Sequence, residues 1–229
     1  MLELPPILIA GLTGFISGLL LSIPVGPVNL TIMNEGARRG FFWALLISAG
    51  ASVMEVIYCT IAFTGFAQFF GNRAVKAAME VFSFAFMLFL GVKFLMAKTS
   101  SAPMHLSHAA DKFEERFEQK LHPHSAFMTG FVRVMGNPGV LLFWIILAAS
   151  FTSHEWVAPN LKGKLACVSG VALGTGLWFF GLSYAVSRGH GRLSEKTMLR
   201  MEHFSGLLLL IFGLGQGVRI VMQLYHHKL

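Results

Sequence analysis

The stretch SIPVGPVNL, Ser22 to Leu30, interrupts what otherwise reads as one long apolar helix. Pro24 and Pro27 each lack a backbone donor, and Gly26 loosens the chain between them. In hydrocarbon an unsatisfied peptide group is costly, so such a break persists only where protein covers it or where it lines a cavity. The stretch therefore predicts a broken membrane helix and marks the first place to look for function.

Composition supplies the environment. Mean hydropathy is +0.65, and 55% of the 229 residues are hydrophobic against 13% charged, too apolar for a soluble domain. Apolar runs of spanning length predict six helices over about 6–36, 41–69, 77–97, 126–152, 163–187 and 203–225. Glu3 stands where a secretion signal carries basic residues, and no small-residue cleavage site follows, so the first segment is expected to be retained as a helix. The net charge of +7 would suggest nucleic acid in a soluble chain. Here it fits basic residues gathered in cytoplasmic connections. Ten of the 18 lie in connections one to two, three to four and five to six, and Lys93 and Arg133, in the spans that border them, are counted on the same side. That predicts a multi-pass protein of a bacterial-type inner (plasma) membrane with both termini outside the cytoplasm, its partners a small-molecule substrate and the bilayer and not nucleic acid.

The spans repeat in threes. MEVFS (Met79 to Ser83) returns as MEHFS (Met201 to Ser205). GASVMEVIY (Gly50 to Tyr58) lies over GVALGTGLW (Gly170 to Trp178), and GPVNL (Gly26 to Leu30) over NPGVLL (Asn137 to Leu142), with Pro27 on Pro138. An odd number of spans per copy inverts the second, the plan of many secondary transporters. The expected fold is an all-α integral membrane protein with about six transmembrane helices. These form two inverted three-helix repeats, 1–97 and 126–229, with broken first and fourth helices. Residues 98–125 are expected to be a cytoplasmic or interfacial connection. There Phe113, Phe117 and Leu121 fall on one helical face beside Lys112, Arg116 and Lys120, a pattern for a helix on anionic headgroups or for a solvated one.

Pro27 reads as the first residue of a new half-helix, where a missing N–H is harmless. The N–H groups of Val28 and Asn29 and the positive end of the dipole then favour an anion. Asn137, as an N-cap before Pro138 and Gly139, repeats the device. Two such ends can converge on a substrate carboxylate, while a structural kink explains either alone. Glu55 lies near the centre of the second span, where an ionised carboxylate is costly. It reads as a proton carrier, as a partner for a substrate ammonium, or as a carboxylate bonded to Ser52, Tyr58 or a freed backbone N–H. Its counterpart in the repeat, Thr175, cannot ionise and joins the candidate substrate site. Arg133, one turn before the second break, pairs with Glu55, holds a substrate carboxylate, or snorkels to the surface. Glu80 and Glu202 occupy equivalent helix starts and fit dipole complementation.

Gly14 and Gly18, Gly36 and Gly40, Gly170 and Gly174, and Gly213 and Gly217 permit close packing within one bundle or in a homodimer. His105, His108, His122 and His124 have spacings that divalent metals accept, but no cysteine or carboxylate order accompanies them, and they read as loop residues. Cys59 and Cys167 read as small buried hydrophobes. They lie 108 residues apart while their helices align at 120, so they are not symmetry mates. No nucleophile–base pair, phosphate loop or dinucleotide fingerprint appears, so neither catalysis, a metal site nor a cofactor is expected.

The Pro24–Gly26–Pro27 break, then NEGARRGFFWALLISAGAS (Asn34 to Ser52), then an acidic residue in the second helix, resembles the LysE/RhtB family of amino-acid exporters. GFVRVMGNPGVLLFW (Gly130 to Trp144) looks like that family's second-half Asn-Pro segment. Gly139 stands where the family commonly has a lysine, and Glu55 follows Gly50 at a longer distance than is usual there. The resemblance implies six helices and export of amino acids or related small zwitterionic metabolites, driven by an ion gradient. Carried over by residue, it places the breaks at Pro24, Gly26 and Pro27 and at Asn137 and Pro138. Proton-coupled alternating access around these breaks is the expected mechanism. The rival readings are a divalent-cation exporter using the loop histidines and a thiol/disulfide electron carrier using the two cysteines.

Overall fold

Proline and glycine set the helix boundaries of the computed structural model, which describes residues 5–23, 27–65, 81, 84–85, 87–89, 91–96, 125–188 and 195–226. The elements are α1 (Pro6–Ser22), α2 (Pro27–Arg39), α3 (Phe41–Gly65), α4 (Ala126–Met135), α5 (Pro138–Ser153), α6 (Leu161–Ser187) and α7 (Glu195–His226), with further helical residues between 81 and 96. Among the described residues there is no strand. Pro6, Pro27 and Pro138 each open a helix, where no partner for an N–H is needed. Gly40 closes α2: its φ of +87° is left-handed, and its N–H donates to Gly36 O at 2.9 Å. α4 begins at Ser125, whose Oγ accepts the Met128 N–H at 3.2 Å, and α6 at Asn160, whose Oδ1 accepts the Gly163 N–H at 2.8 Å.

Both segments expected as broken first and fourth spans are pairs of helices. α4 and the helix after it bend by 65° at Gly136–Asn137. By length and composition α3 and α6 can cross a membrane, and the bent pair makes a third span if counted as one. α1 and Gly206–Met222 are shorter apolar helices. α6 starts two residues before the expected boundary because Asn160 caps it there. α7 starts eight residues early because its first turns, with Glu195, Lys196 and Arg200, are helical but polar, and hydropathy marks only the apolar part. Pro24, Gly26, Glu80, the Phe113–Phe117–Leu121 stripe and the four loop histidines lie outside the described residues.

Two crossings organise the packing, and both are made of backbone against backbone. α1 lies along α6: a Cβ added at Gly14 would strike the Cys167 carbonyl, and one at Gly170 would strike Gly11 O and Phe15 N. α4 lies along α3: a Cβ at Gly130 would strike Ile47 O and Ala51 N, and one at Gly50 would strike Phe127 O and Phe131 N. Matching partners stand 116 residues apart on the half-helices (Gly14 and Gly130, Phe15 and Phe131). On the long helices they stand 120 apart (Gly50 and Gly170, Ile47 and Cys167). Small residues at these points let helices approach without a desolvation gain, which lipid does not provide.

α3 and α6 meet in an antiparallel seam between the two crossings. Ser48 Oγ and Ser183 Oγ lie 2.9 Å apart, and toward the other end Lys164 Nζ donates to Phe63 O at 3.2 Å. Polar side chains turn inward: Asn29, Ser48, Glu55, Asn137, Thr175 and Ser183 are all buried. Apolar ones turn outward, with Leu165, Leu173 and Leu177 of α6 each more than half exposed. That inversion suits a lipid-facing surface. At the α2–α3 turn, Arg39 stacks over Trp43 at 4.7 Å and Arg188 over Tyr184 at 4.8 Å, an aromatic and basic rim of the kind found at a membrane–water interface.

Candidate functional site

A broken helix leaves carbonyls without partners at its first half and N–H groups at its second. At the first break Asn29 serves the carbonyl side: its Nδ2 donates to Ser22 O at 2.8 Å, joining the end of α1 to the start of α2. Its Oδ1 in turn accepts from Trp178 Nε1 of α6 at 3.3 Å. At the second break Tyr58 of α3 donates its hydroxyl to Met135 O at 2.6 Å. Tyr58 and Trp178 are the residues that overlie one another in the sequence repeat, so each break is met by an aromatic polar tip from the long helix of the other half.

The donors of the second break are used internally. Gly139 N–H donates to Asn137 Oδ1 at 3.0 Å and Val140 N–H to Asn137 O at 3.2 Å, while Pro138 has none. Asn137 is thus the N-cap expected of it. An incoming carboxylate would have to displace that side chain to reach the Gly139 N–H. Val28, in the first turn of α2, packs against the buried core.

Glu55 is buried, 7% exposed, and accepts a hydrogen bond on Oε2 from Trp144 Nε1 of α5 at 2.5 Å. Trp144 is thus a hydrogen-bond partner of Glu55 that is not among Ser52, Tyr58 and Arg133, the residues weighed from sequence. Glu35 forms ion pairs with Arg38 and Arg39. Arg133 lies half-buried in the last turn of α4, where a cation complements the helix dipole. Thr175 is fully buried, its Oγ1 3.4 Å from Ala172 O on its own helix. The register of the α3–α6 seam, fixed by Ser48–Ser183 and Phe63–Lys164, puts Glu55 and Thr175 at the same level. A single acidic group thus sits midway along the seam, faced by neutral polar groups, close to the second break.

Sequence reasoning missed Trp144, and it did not place the two buried cysteines beside one another. Cys59 and Cys167 are not symmetry mates, yet they are neighbours across the seam. A cavity of about 590 Å³ between α1, α5 and α7, walled by Ile16, Phe143, Leu147 and Leu209, contains none of the expected site residues.

The Trp144 bond has a measurable consequence. Trp144→Phe is expected to lower stability by about 1–3 kcal/mol, because a buried carboxylate loses its donor while most of the ring volume remains. Thermal unfolding in detergent reads this. The double variant with Glu55→Leu should cost less than the sum of the two singles, since both remove the same contact.

Apolar helices with their polar groups turned inward, a bent helix pair at Gly136–Asn137 and a buried carboxylate mark an α-helical membrane protein. The chain belongs to the LysE type translocator family, whose family model matches residues 19–217, a span that takes in both breaks, Glu55 and Trp144. It is 29% identical over 213 residues to YcgF of Bacillus subtilis, assigned by name to amino acid efflux, covering 93% of this chain and 97% of the relative. It is 26% identical over 170 residues to the arginine exporter protein ArgO of Salmonella newport, covering 74% of each. It is 22% identical over 169 residues to the chemotactic transduction protein ChpE of Pseudomonas aeruginosa, covering 74% of this chain and 78% of the relative. No solved structure matches the chain.

Proposed function

We propose that this protein exports amino acids or related small zwitterionic metabolites across the inner (plasma) membrane by proton-coupled alternating access. The observation that carries the reading is the near full-length similarity to a relative named for amino acid efflux, inside a family match that spans both helix breaks. The arrangement is six spans in two inverted repeats, residues 1–97 and 126–229, joined by 98–125, with both termini outside the cytoplasm. The paired glycine crossings support the repeat, because contacts equivalent by offset recur on both sides of the seam. The reciprocal reach of Tyr58 and Trp178 to opposite breaks supports it again.

In this mechanism the substrate enters between the breaks and Glu55. Glu55 takes either a proton or the substrate ammonium, since a lone buried carboxylate needs one of the two to offset its desolvation. The carboxylate of the substrate is held at the start of α2, by Val28 and Asn29, and at the start of α5 once the Asn137 cap swings aside. The direct test loads cells or proteoliposomes with a panel of labelled amino acids and follows their release with and without the protein. Selective release of one or a few is the expected result. Release of none of them, by protein shown to be inserted, overturns the proposal.

A further inference from the structure

The seam between α3 and α6 differs in kind from the crossings that flank it. At α1–α6 and α3–α4 the backbones touch at glycine, and no room is left for either helix to shift without lifting off. Among the described glycines of α3 and α6, the nearest atoms that an added Cβ would meet never belong to the other of these two helices. The seam is joined instead by side-chain tips: two serine hydroxyls, two thiols and one lysine. The molecule therefore divides into two backbone-keyed pairs, α1 with α6 and α3 with α4, and the seam is where one pair can move against the other.

Cys59 and Cys167 lie on that seam, both fully buried and both free. Their juxtaposition has two supports. The Cys59 thiol has Cys167 as a neighbouring titratable group. Independently, the Lys164 bond to Phe63 O lies about one helical turn along from each cysteine, which brings the two to the same level of the antiparallel pair. No other cysteine exists in the chain to compete for either.

We infer that Cys59 and Cys167 form a dithiol modification site that closes to a disulfide across the α3–α6 seam and staples the two helix pairs together. Closure removes two S–H bonds and forms one S–S bond. The two protons and two electrons pass to a thiol oxidant, for which a membrane-permeant diazene, reduced to its hydrazine, serves as the laboratory representative. A stapled seam cannot rearrange, so the oxidised protein is arrested. This effect on transport rests on the export function proposed above, whereas formation of the bond does not.

The experiment treats the full-length protein in proteoliposomes with the diazene diamide, then counts free thiols by maleimide mass-tagging after denaturation. Expected are loss of both thiols, migration as a monomer without reductant, and return of both thiols on reduction. Amino acid release should fall by about tenfold on oxidation and recover on reduction. Cys59→Ser and Cys167→Ser should each release amino acids as the reduced wild type does and ignore the oxidant. Two thiols still free after oxidation, or disulfide-linked dimers of the chain, would overturn the site. A disulfide formed with release unchanged would overturn the arrest. Absence of release from the reduced wild type would instead refute the export function, and the thiol count would still decide whether the site exists.

Discussion

Release of a preloaded amino acid is expected to fall by about tenfold or more in Glu55→Gln, with inserted protein at the wild-type level. The substitution is chosen because it keeps shape and contact. A glutamine carbonyl oxygen can accept from Trp144 Nε1 as the carboxylate does. What is lost is the capacity to bind a proton or to carry a negative charge. The two roles proposed for Glu55 separate in an exchange assay, in which labelled substrate inside is traded for unlabelled substrate outside with no net movement of protons. If Glu55 only carries the coupling proton, exchange survives in the glutamine variant while uphill release fails. If Glu55 holds the substrate ammonium, both fail together. Release unchanged in both assays would leave Glu55 as a structural carboxylate tied to Trp144 and would move the coupling elsewhere.

What could be read from the chain, and what could not, divides by range. Helix breaks are local: a proline lacks its N–H whatever surrounds it, so Pro27 and Pro138 mark helix starts that the structure contains. The Asn137 cap is equally local, two residues reaching one N–H. Contacts between helices are not. In a soluble helix the polar face announces its rotation, but α5 reads PGVLLFWIILAASFTS and is apolar all round, so nothing in it says that Trp144 turns toward Glu55. Burial of Glu55 was legible from the cost of charge in an apolar span, but the identity of its partner was not. The cysteines show the same limit from another side. Repeat alignment asks whether two residues are equivalent, whereas two antiparallel helices in contact pair residues by level, and Cys59 with Cys167 satisfies the second relation without the first. Spacing suggested that the glycine pairs pack closely, and it did not say against which helix.

That last point yields the other large effect. Gly14→Ala, Gly50→Ala and Gly130→Ala should each cost about 1–3 kcal/mol or more, because the added methyl meets a backbone carbonyl that cannot rotate aside. The heat-resistant fraction of detergent-solubilised protein measures it. Gly176→Ala and Gly181→Ala are the controls: nothing lies within 4 Å of an added Cβ at either. Each should be neutral or stabilising by up to about 1 kcal/mol, as alanine in a helix generally is over glycine. The combinations carry more information than the singles. Gly50 and Gly130 belong to one crossing, so once the first methyl has separated α3 from α4 the second adds little, and the double variant should cost less than the sum. Gly14 and Gly130 belong to opposite crossings and share no partner, so their costs should add. Additivity within the α3–α4 crossing, or coupling between the crossings as strong as within one, would mean that the helices do not move as two separately keyed pairs, and the seam between α3 and α6 would lose its claim to be the moving joint.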